Sequence, residues 1–274
     1  MKKRILAVIT ILGVMLIFGC SEDNSTEPNN NSTYYPKTVY ERSLDDPTTD
    51  LYLSEEFVYN SSMQLIRMND YSSDGLLSQY FEYQYDNENN LIKWDDYEDN
   101  GQEHRIKKFI YTARNSEEEL ERVENYIVEN SEETLYSYNT FEYSDNVCVR
   151  TNIFYIEEPD YNGYIEYIYG SSGNIISKIY FDANGNQEDS ERFYEYDDNN
   201  FWVLNILPMY DEYEFPFYYQ QNNISIEHTD GSQFVSTFEY NEDNYPTKVT
   251  IQRYWNGIYE PGESTEMNIE YEMN

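Results

Sequence analysis

The sequence predicts an all-β protein: a large antiparallel β-meander of repeated hairpins, arranged as a curled single sheet or a sandwich. Three observations carry this reading. Short aromatic runs ending in Tyr recur along the chain, polar turns of Asn, Asp and Gly separate them, and no segment sustains a helical period.

The N-terminus comes first and is of a different kind. Met1 to Arg4 hold three basic residues, and Ile5 to Phe18 form an apolar run broken only by Thr10 and Gly13. The run is shorter than the roughly 20 residues that span a bilayer and reads as a secretory signal over 1–19. Its ending, Leu16-Ile17-Phe18-Gly19-Cys20, resembles the lipobox of bacterial lipoproteins. That resemblance implies acylation of Cys20 and attachment to the outer membrane. Ser21-Glu22-Asp23-Asn24 resembles the acidic tag that sends Bacteroidetes-type lipoproteins to the cell surface. Residues 20–37, rich in Asn, Ser, Thr, Glu and Pro, read as a polar tether, and 38–274 as the repetitive β domain.

Within that domain the recurring unit is an aromatic run ending in Tyr, a turn, and a second apolar run with a basic residue. Phe57-Val58-Tyr59, Phe81-Glu82-Tyr83-Gln84-Tyr85, Phe109-Ile110-Tyr111, Phe141-Glu142-Tyr143 and Ile165-Glu166-Tyr167-Ile168-Tyr169 are early copies. Tyr194-Glu195-Tyr196, Phe238-Glu239-Tyr240 and Ile269-Glu270-Tyr271 follow. The anchors Tyr59, Tyr85, Tyr111, Tyr143, Tyr169 and Tyr196 are spaced by 26, 26, 32, 26 and 27 residues, a period of one supersecondary unit. Asn205 to Gln221, with Pro208 and Pro216, interrupts the pattern.

Each unit reads as two strands. Asp74-Gly75, Asn100-Gly101, Asn162-Gly163, Asn184-Gly185, Asp230-Gly231 and Asn256-Gly257 predict type I′ hairpin turns, which require positive φ at both central residues. A second set of turns follows the anchor Tyr, as at Asp86 to Asn90, Gly170 to Asn174 and Asn241 to Asn244. Asn115 to Glu129 reads as a long acidic loop entering a strand, with a short helix as the other reading.

Alternation assigns faces. It pairs Glu56 with Arg67, Glu82 with Lys93, Glu142 with Arg150, Glu166 with Lys178 and Glu239 with Lys248 across neighbouring strands, a solvated ladder rather than a binding groove. The predicted core holds Phe81, Tyr83, Ile92, Trp94, Phe141, Tyr143, Ile153, Tyr167, Ile179, Phe181, Phe238, Tyr240 and Ile251. A meander of roughly 15 strands must cover this apolar face by curling, stacking or closing. A transmembrane barrel is disfavoured by the charge of its strands.

Tyr85-Asp86-Asn87-Glu88-Asn89-Asn90-Leu91-Ile92-Lys93, Tyr169-Gly170-Ser171-Ser172-Gly173-Asn174-Ile175 and Tyr196-Asp197-Asp198-Asn199-Asn200-Phe201 resemble the Tyr-Asp (YD, or RHS-like) repeat. Its pattern is Tyr-Asp, two residues, Gly-Asn or similar, then an apolar residue. The resemblance covers most of residues 50–274 and implies stacked hairpins in a long, curling sheet. Only Tyr85 and Tyr196 keep the following Asp, and the chain is too short for a shell enclosing a toxin.

Composition narrows function. The chain carries 53 acidic and 17 basic residues, a net charge of −36, which repels nucleic acid and anionic headgroups. Yet 32 Tyr, 13 Phe and 3 Trp argue for a packed fold. Cys148 is single once Cys20 is acylated, so it reads as a small buried strand residue. Asp182, Asn184, Asn186 and Glu188 place oxygen ligands at alternate positions, partly like a calcium loop, but Phe193 stands where the bidentate Glu is required. Trp255, Trp94 and Trp202 are the candidates for stacking on a glycan, Trp255 beside its turn being the better exposed.

No nucleophile elbow, phosphate loop or zinc framework is present, and His104 and His228 stand alone beside turns. The expectation is therefore a non-enzymatic surface binding or adhesion module for a glycan or protein ligand, without a cofactor beyond the calcium candidate. A structural component of an envelope complex is the alternative, and a glycoside hydrolase a remote third.

Overall fold

The computed structural model describes residues 34–45, 48, 50–114, 117–144, 147–188, 191–200, 222–229 and 231–273. The signal segment, Cys20, Trp202 and the interruption at 205–221 lie outside the described residues.

Among the described residues seventeen strands follow one another. They are β1 (Tyr34–Ser43), β2 (Tyr52–Tyr59), β3 (Leu65–Tyr71), β4 (Leu77–Tyr85), β5 (Leu91–Glu98), β6 (Glu103–Arg114), β7 (Glu117–Glu129), β8 (Glu132–Ser144) and β9 (Val147–Tyr155). Then come β10 (Gly163–Tyr169), β11 (Ile175–Asp182), β12 (Arg192–Asn200), β13 (Asn222–Thr229), β14 (Ser232–Tyr240), β15 (Pro246–Trp255), β16 (Ile258–Tyr259) and β17 (Thr265–Met273). From β1 to β16 each pairs antiparallel with the next, and β17 pairs with β1 from Tyr34↔Met273 to Ser43↔Thr265. β15 pairs directly with β17, and the two-residue β16 hangs on β15 alone. Sixteen strands therefore form a closed up-and-down barrel. The meander is as expected, but the curled sheet or sandwich is not: β1 and β17 would be the free edges, and each satisfies the other.

The segment 117–129 is strand β7, not a loop or helix; it lies along β6 from Arg105↔Ile127 to Arg114↔Glu117. Cross-strand partners outweigh its local acidity. β1 begins at Tyr34, inside the stretch read as tether.

In several units one residue is extra. Tyr59 faces Leu65 while Val58 faces Arg67, Tyr85 faces Leu91 while Gln84 faces Lys93, and Tyr169 faces Ile175 while Ile168 faces Ser177. Ile66, Ile92 and Ile176 are the bulged residues, 37%, 38% and 42% exposed. A one-residue bulge shifts the phase of everything beyond it. Two of the five expected charge pairs stand in register, Glu142↔Arg150 and Glu239↔Lys248, where the Glu directly precedes the anchor Tyr. Where it stands three residues before, the partner differs: Glu56 faces Asn69, Glu82 faces Asp95 and Glu166 faces Ile179. The same phase turns Ile92, Ile179 and Phe181 away from the core face and puts Lys178 on it, 1% exposed.

The core lies inside the ring. Phe57, Met68, Phe81, Tyr83 and Trp94 on one arc and Val123, Phe141, Ile165, Tyr167 and Tyr194 on another are nearly solvent-free, and Phe109 packs against both groups. In a closed wall, the face that loses solvent on successive strands is the inner one. The outer face carries aromatic pairs capped by Arg. Arg67 lies 3.8 Å above Tyr80, which stacks on Tyr97; Arg122 lies 3.9 Å above Tyr138, which stacks on Phe154; Arg150 lies 4.3 Å above Tyr164, which stacks on Phe181.

The anchor tyrosines form a ladder. Tyr85 Oη donates to the carbonyl of Leu65 at 2.9 Å, and Leu65 is the residue facing the previous anchor, Tyr59. Tyr143 reaches Leu120 (2.9 Å), Tyr169 reaches Cys148 (2.6 Å), Tyr196 reaches Ile175 (2.5 Å) and Tyr271 reaches Pro246 (2.7 Å) in the same way. Tyr59 closes the series on Pro36 at 2.6 Å. Tyr240 departs from it, donating its hydrogen bond to the Asp197 carboxylate.

The residue after the anchor shapes the turn. Asp86 Oδ1 accepts from the amides of Glu88 and Asn90, Asn60 Oδ1 from Ser62 and Gln64, and Asn241 Oδ1 from Asp243 and Tyr245. Each of these turns places one residue at positive φ, Asn89 at 73°, Met63 at 59° and Asn244 at 64°. The Gly turns differ from expectation too. Only Asn256-Gly257 has both residues at positive φ among the described pairs; at Gly75, Gly101 and Gly185 the Gly alone does. Asn162-Gly163 is no hairpin turn, because Pro159–Tyr161 forms a 3-10 turn that hands the chain to β10.

Replacing Tyr85 with Phe leaves the buried Leu65 carbonyl without its donor. We expect a loss of about 1 kcal/mol in denaturant unfolding, against less than about 0.5 kcal/mol for Tyr161→Phe on the exposed 3-10 turn. Burial also raises the phenols of Tyr59, Tyr85, Tyr169 and Tyr271 well above their ordinary range. A raised acid stabilises the folded state fully below its unfolded pKa of about 10, and that contribution is lost as the pH climbs beyond it. Phenolate absorbance of this buried set should therefore appear together with loss of the β circular dichroism; ionisation of all the tyrosines with the signal intact would contradict the ladder.

Candidate functional site

Strand direction gives the barrel two unlike ends. Tyr34, where the described chain enters, packs its ring on Tyr245 and Tyr271 and donates to Asp243 in the 241–245 turn. The chain therefore enters at the end formed by the Tyr-following turns. β15 runs from Pro246 at that end to Trp255 at the other.

At the far end Trp255 stands 44% exposed. Asn256 (φ 49°) and Gly257 (φ 78°) make the tight turn that sets Trp255 opposite Ile258, which is 70% exposed. Gly231 supports the base of this hairpin: its carbonyl accepts from Asn256 N at 2.7 Å, and a Cβ there would lie 3.5 Å from the indole. Because β16 pairs only with β15, it is an appendage to the ring, while Trp255 still pairs with Ser232 of β14. Arg253 precedes it on the same face and is held by Glu263.

Trp94 is a core residue rather than a platform. It is 8% exposed, stacks on Phe81 at 5.2 Å, and carries Lys107 Nζ 4.7 Å over its ring. It belongs to the same inner wall as Tyr83, opposite it in register. Trp202 lies outside the described residues.

The calcium candidates form a hairpin turn. Asp182 Oδ1 accepts from the amides of Asn184 (2.8 Å) and Asn186 (2.7 Å), and its Oδ2 from Asn186 Nδ2 at 2.7 Å. These bonds hold its carboxyl below the usual range, those from Asn186 contributing most. Glu188 points its backbone amide at the Tyr180 carbonyl instead of closing a ligand ring. Among the described residues no three His, Cys, Asp or Glu are grouped to hold a metal ion. Cys148 is buried, and its thiol is pushed up to about 12 by that burial.

Two features escaped the sequence. The inner wall turns polar away from the anchors: Glu55, Asp70 and Gln79 face one another across β2, β3 and β4. Burial raises the Asp70 carboxyl, Gln79 Nε2 opposes this with a 2.7 Å bond, and neighbouring Asp96 adds to the rise. The second feature is a cleft of about 250 Å³ at the far end between β7, β8 and the segment after β9. It is bounded by Ile127, Leu135, Tyr136, Tyr155, Glu157 and Glu158, with Thr134 beside them. Pro159, three residues before Asn162, was the one sequence signal against a tight turn here.

The outer wall bears charge along its strands, in pairs such as Arg150–Glu166 (2.5 Å), Lys108–Glu133 (2.6 Å) and Lys248–Glu266 (3.0 Å). An Arg or Lys facing hydrocarbon costs about 2–4 kcal/mol at the bilayer midplane, so this wall suits water. Among the described residues no helix is long and apolar enough to cross a membrane.

Trp94→Ala should cost about 3–5 kcal/mol in chemical denaturation, and Trp255→Ala less than about 0.5 kcal/mol. Equal losses would contradict the placement of the two rings.

No family model matches the chain, and no curated protein matches it. Solved structures resemble it at low identity. A porin-like protein from Bacteroides uniformis is 12% identical, with 86% of this chain and 96% of that one covered and a TM-score of 0.41. A porin-like protein from Bacteroides vulgatus is 8% identical, with 88% and 99% covered and a TM-score of 0.43. The TcdB2-TccC3 structure is 10% identical, with 88% of this chain and 15% of that one covered and a TM-score of 0.24.

Proposed function

We propose that this chain is a non-enzymatic binding module of the cell envelope, tethered through acylated Cys20 and contacting a glycan or protein ligand with the end of the barrel that faces away from the membrane. One observation carries the reading: Trp255, at the end of ring strand β15, and Ile258, on the appended β16, stand exposed side by side at the end opposite the entry of the chain at Tyr34. A lipid on Cys20 holds the Tyr34 end towards the membrane and presents that hairpin outward. A flat indole beside an aliphatic side chain suits an apolar sugar face or a hydrophobic anchor on a protein. The charged outer wall supports a barrel standing in water above the bilayer, and ring closure pairs β17 with β1, so neither is a free edge for strand addition.

Cells bearing the full chain test this on a glycan panel. We expect Trp255→Ala with Ile258→Ser to lower retention by about tenfold or more, the range of an interface hot spot, with thermal unfolding unchanged. No glycan retention, together with envelope proteins that co-purify through the same two residues, moves the ligand to protein. Binding indifferent to both substitutions removes the hairpin from the site. Cys20→Ser should release the chain from the membrane fraction; retention would overturn the anchor.

A further inference from the structure

The cleft at the far end is separate from the Trp255 hairpin and has its own chemistry. Tyr155 ends β9, and its backbone amide is held by Asn162 Oδ1 at 2.7 Å across the 3-10 turn. Tyr161 on that turn packs edge-on against Tyr155, with centroids 6.5 Å apart. Ile156 N donates to the Tyr136 carbonyl at 2.9 Å, which fixes the start of the segment that carries Glu157 and Glu158. The cleft thus sits on anchored backbone, with two phenol rings and two carboxylates around an apolar base of Ile127 and Leu135.

Its charged lining is all acidic. Glu157 and Glu158 are exposed carboxylates, and no Lys or Arg lines the space among the described residues. Of the cations nearest in register, Lys108 is bound to Glu133 at 2.6 Å, and Arg105 lies on β6 between Ile127 of β7 and Asp96 of β5, outside the lining. The hydroxyls of Thr134, Tyr136 and Tyr155 both donate and accept, so they do not discriminate, whereas the two carboxylates only accept and favour a ligand rich in donors. An anion would meet two carboxylates within a chain of net charge −36. An ammonium group satisfies both, through hydrogen bonds to the carboxylates and attraction to the faces of the rings, while an apolar body covers the aliphatic base.

We propose that this cleft binds a small organic ammonium ion with an apolar body.

Phenethylammonium chloride titrated calorimetrically into the full chain is the test, with 2-phenylethanol as the uncharged comparator. We expect saturable one-site binding of the ammonium ion, and binding of the alcohol about tenfold weaker or worse, a difference of about 1.4 kcal/mol. Glu157→Gln with Glu158→Gln should weaken the ammonium ion by a similar factor without moving the thermal midpoint. Glu88→Gln with Glu242→Gln, exposed in turns at the opposite end, should leave it unchanged. Equal binding of the alcohol, an unaffected Glu157/Glu158 double variant, or an equal loss from the Glu88/Glu242 pair would overturn the site, the last by showing diffuse attraction to an acidic chain. The Trp255 hairpin is intact in all these variants, so failure here is distinguishable from failure of the rim as a glycan or protein site.

Discussion

The hydrogen bond from each anchor Tyr to the carbonyl facing the previous anchor is the contact on which the rest of the barrel is arranged. One bond of this kind contributes only about 1 kcal/mol, but each spans from one hairpin to the next and lies where side chains are being buried. It fixes the depth at which a ring can insert, and so the stagger between neighbouring units. Tyr85 on Leu65, Tyr169 on Cys148 and Tyr271 on Pro246 repeat this at sequence separations of 20 to 25 residues. A Phe would bury as much area and set no such stop. This gives a physical reason for Tyr at the anchor positions, where hydrophobicity alone would accept Phe.

The bulge beside each anchor is the second half of the device. It lets Leu65, Leu91 and Ile175 point inward next to an aliphatic residue that points outward, so two consecutive apolar residues serve opposite faces. It also increases the local twist of the strands, which favours curvature of the wall. Closure then needs only that β17 meet β1, and the Tyr34–Tyr245–Tyr271 cluster packs where they join. With β1 and β17 paired to each other, the barrel offers partners its rim, its outer wall or its interior. The Trp255 hairpin and the Tyr155 cleft both lie on the rim away from the chain entry, so the candidate chemistry gathers at one end.

Much of this was legible in the chain. The Tyr period, the Asn, Asp and Gly turns and the absence of a helical period are local properties, and they survive folding because strands and turns are made locally. Trp255 beside Asn256-Gly257 was legible for the same reason: a turn residue is exposed whatever the sheet does. Charge pairs were legible where the Glu precedes its anchor, as at Glu239–Lys248, and not at Glu166, because a bulge adds a residue without leaving a mark in composition. Lys178 shows the consequence, since plain alternation placed a buried lysine on the solvated face.

By itself the sequence determined the all-β class, the repeating unit and the position of each anchor Tyr, since these follow from side-chain type and spacing along one strand. Tertiary structure alone decided that the meander closes and which face is the lumen. It also brought Tyr136 on β8 and Tyr155 on β9 together with Glu157 and Glu158 on the segment that follows. The reason is that closure depends on the summed twist and stagger of sixteen strand pairs. A one-residue bulge changes that sum, whereas the period of the pattern stays the same with or without it.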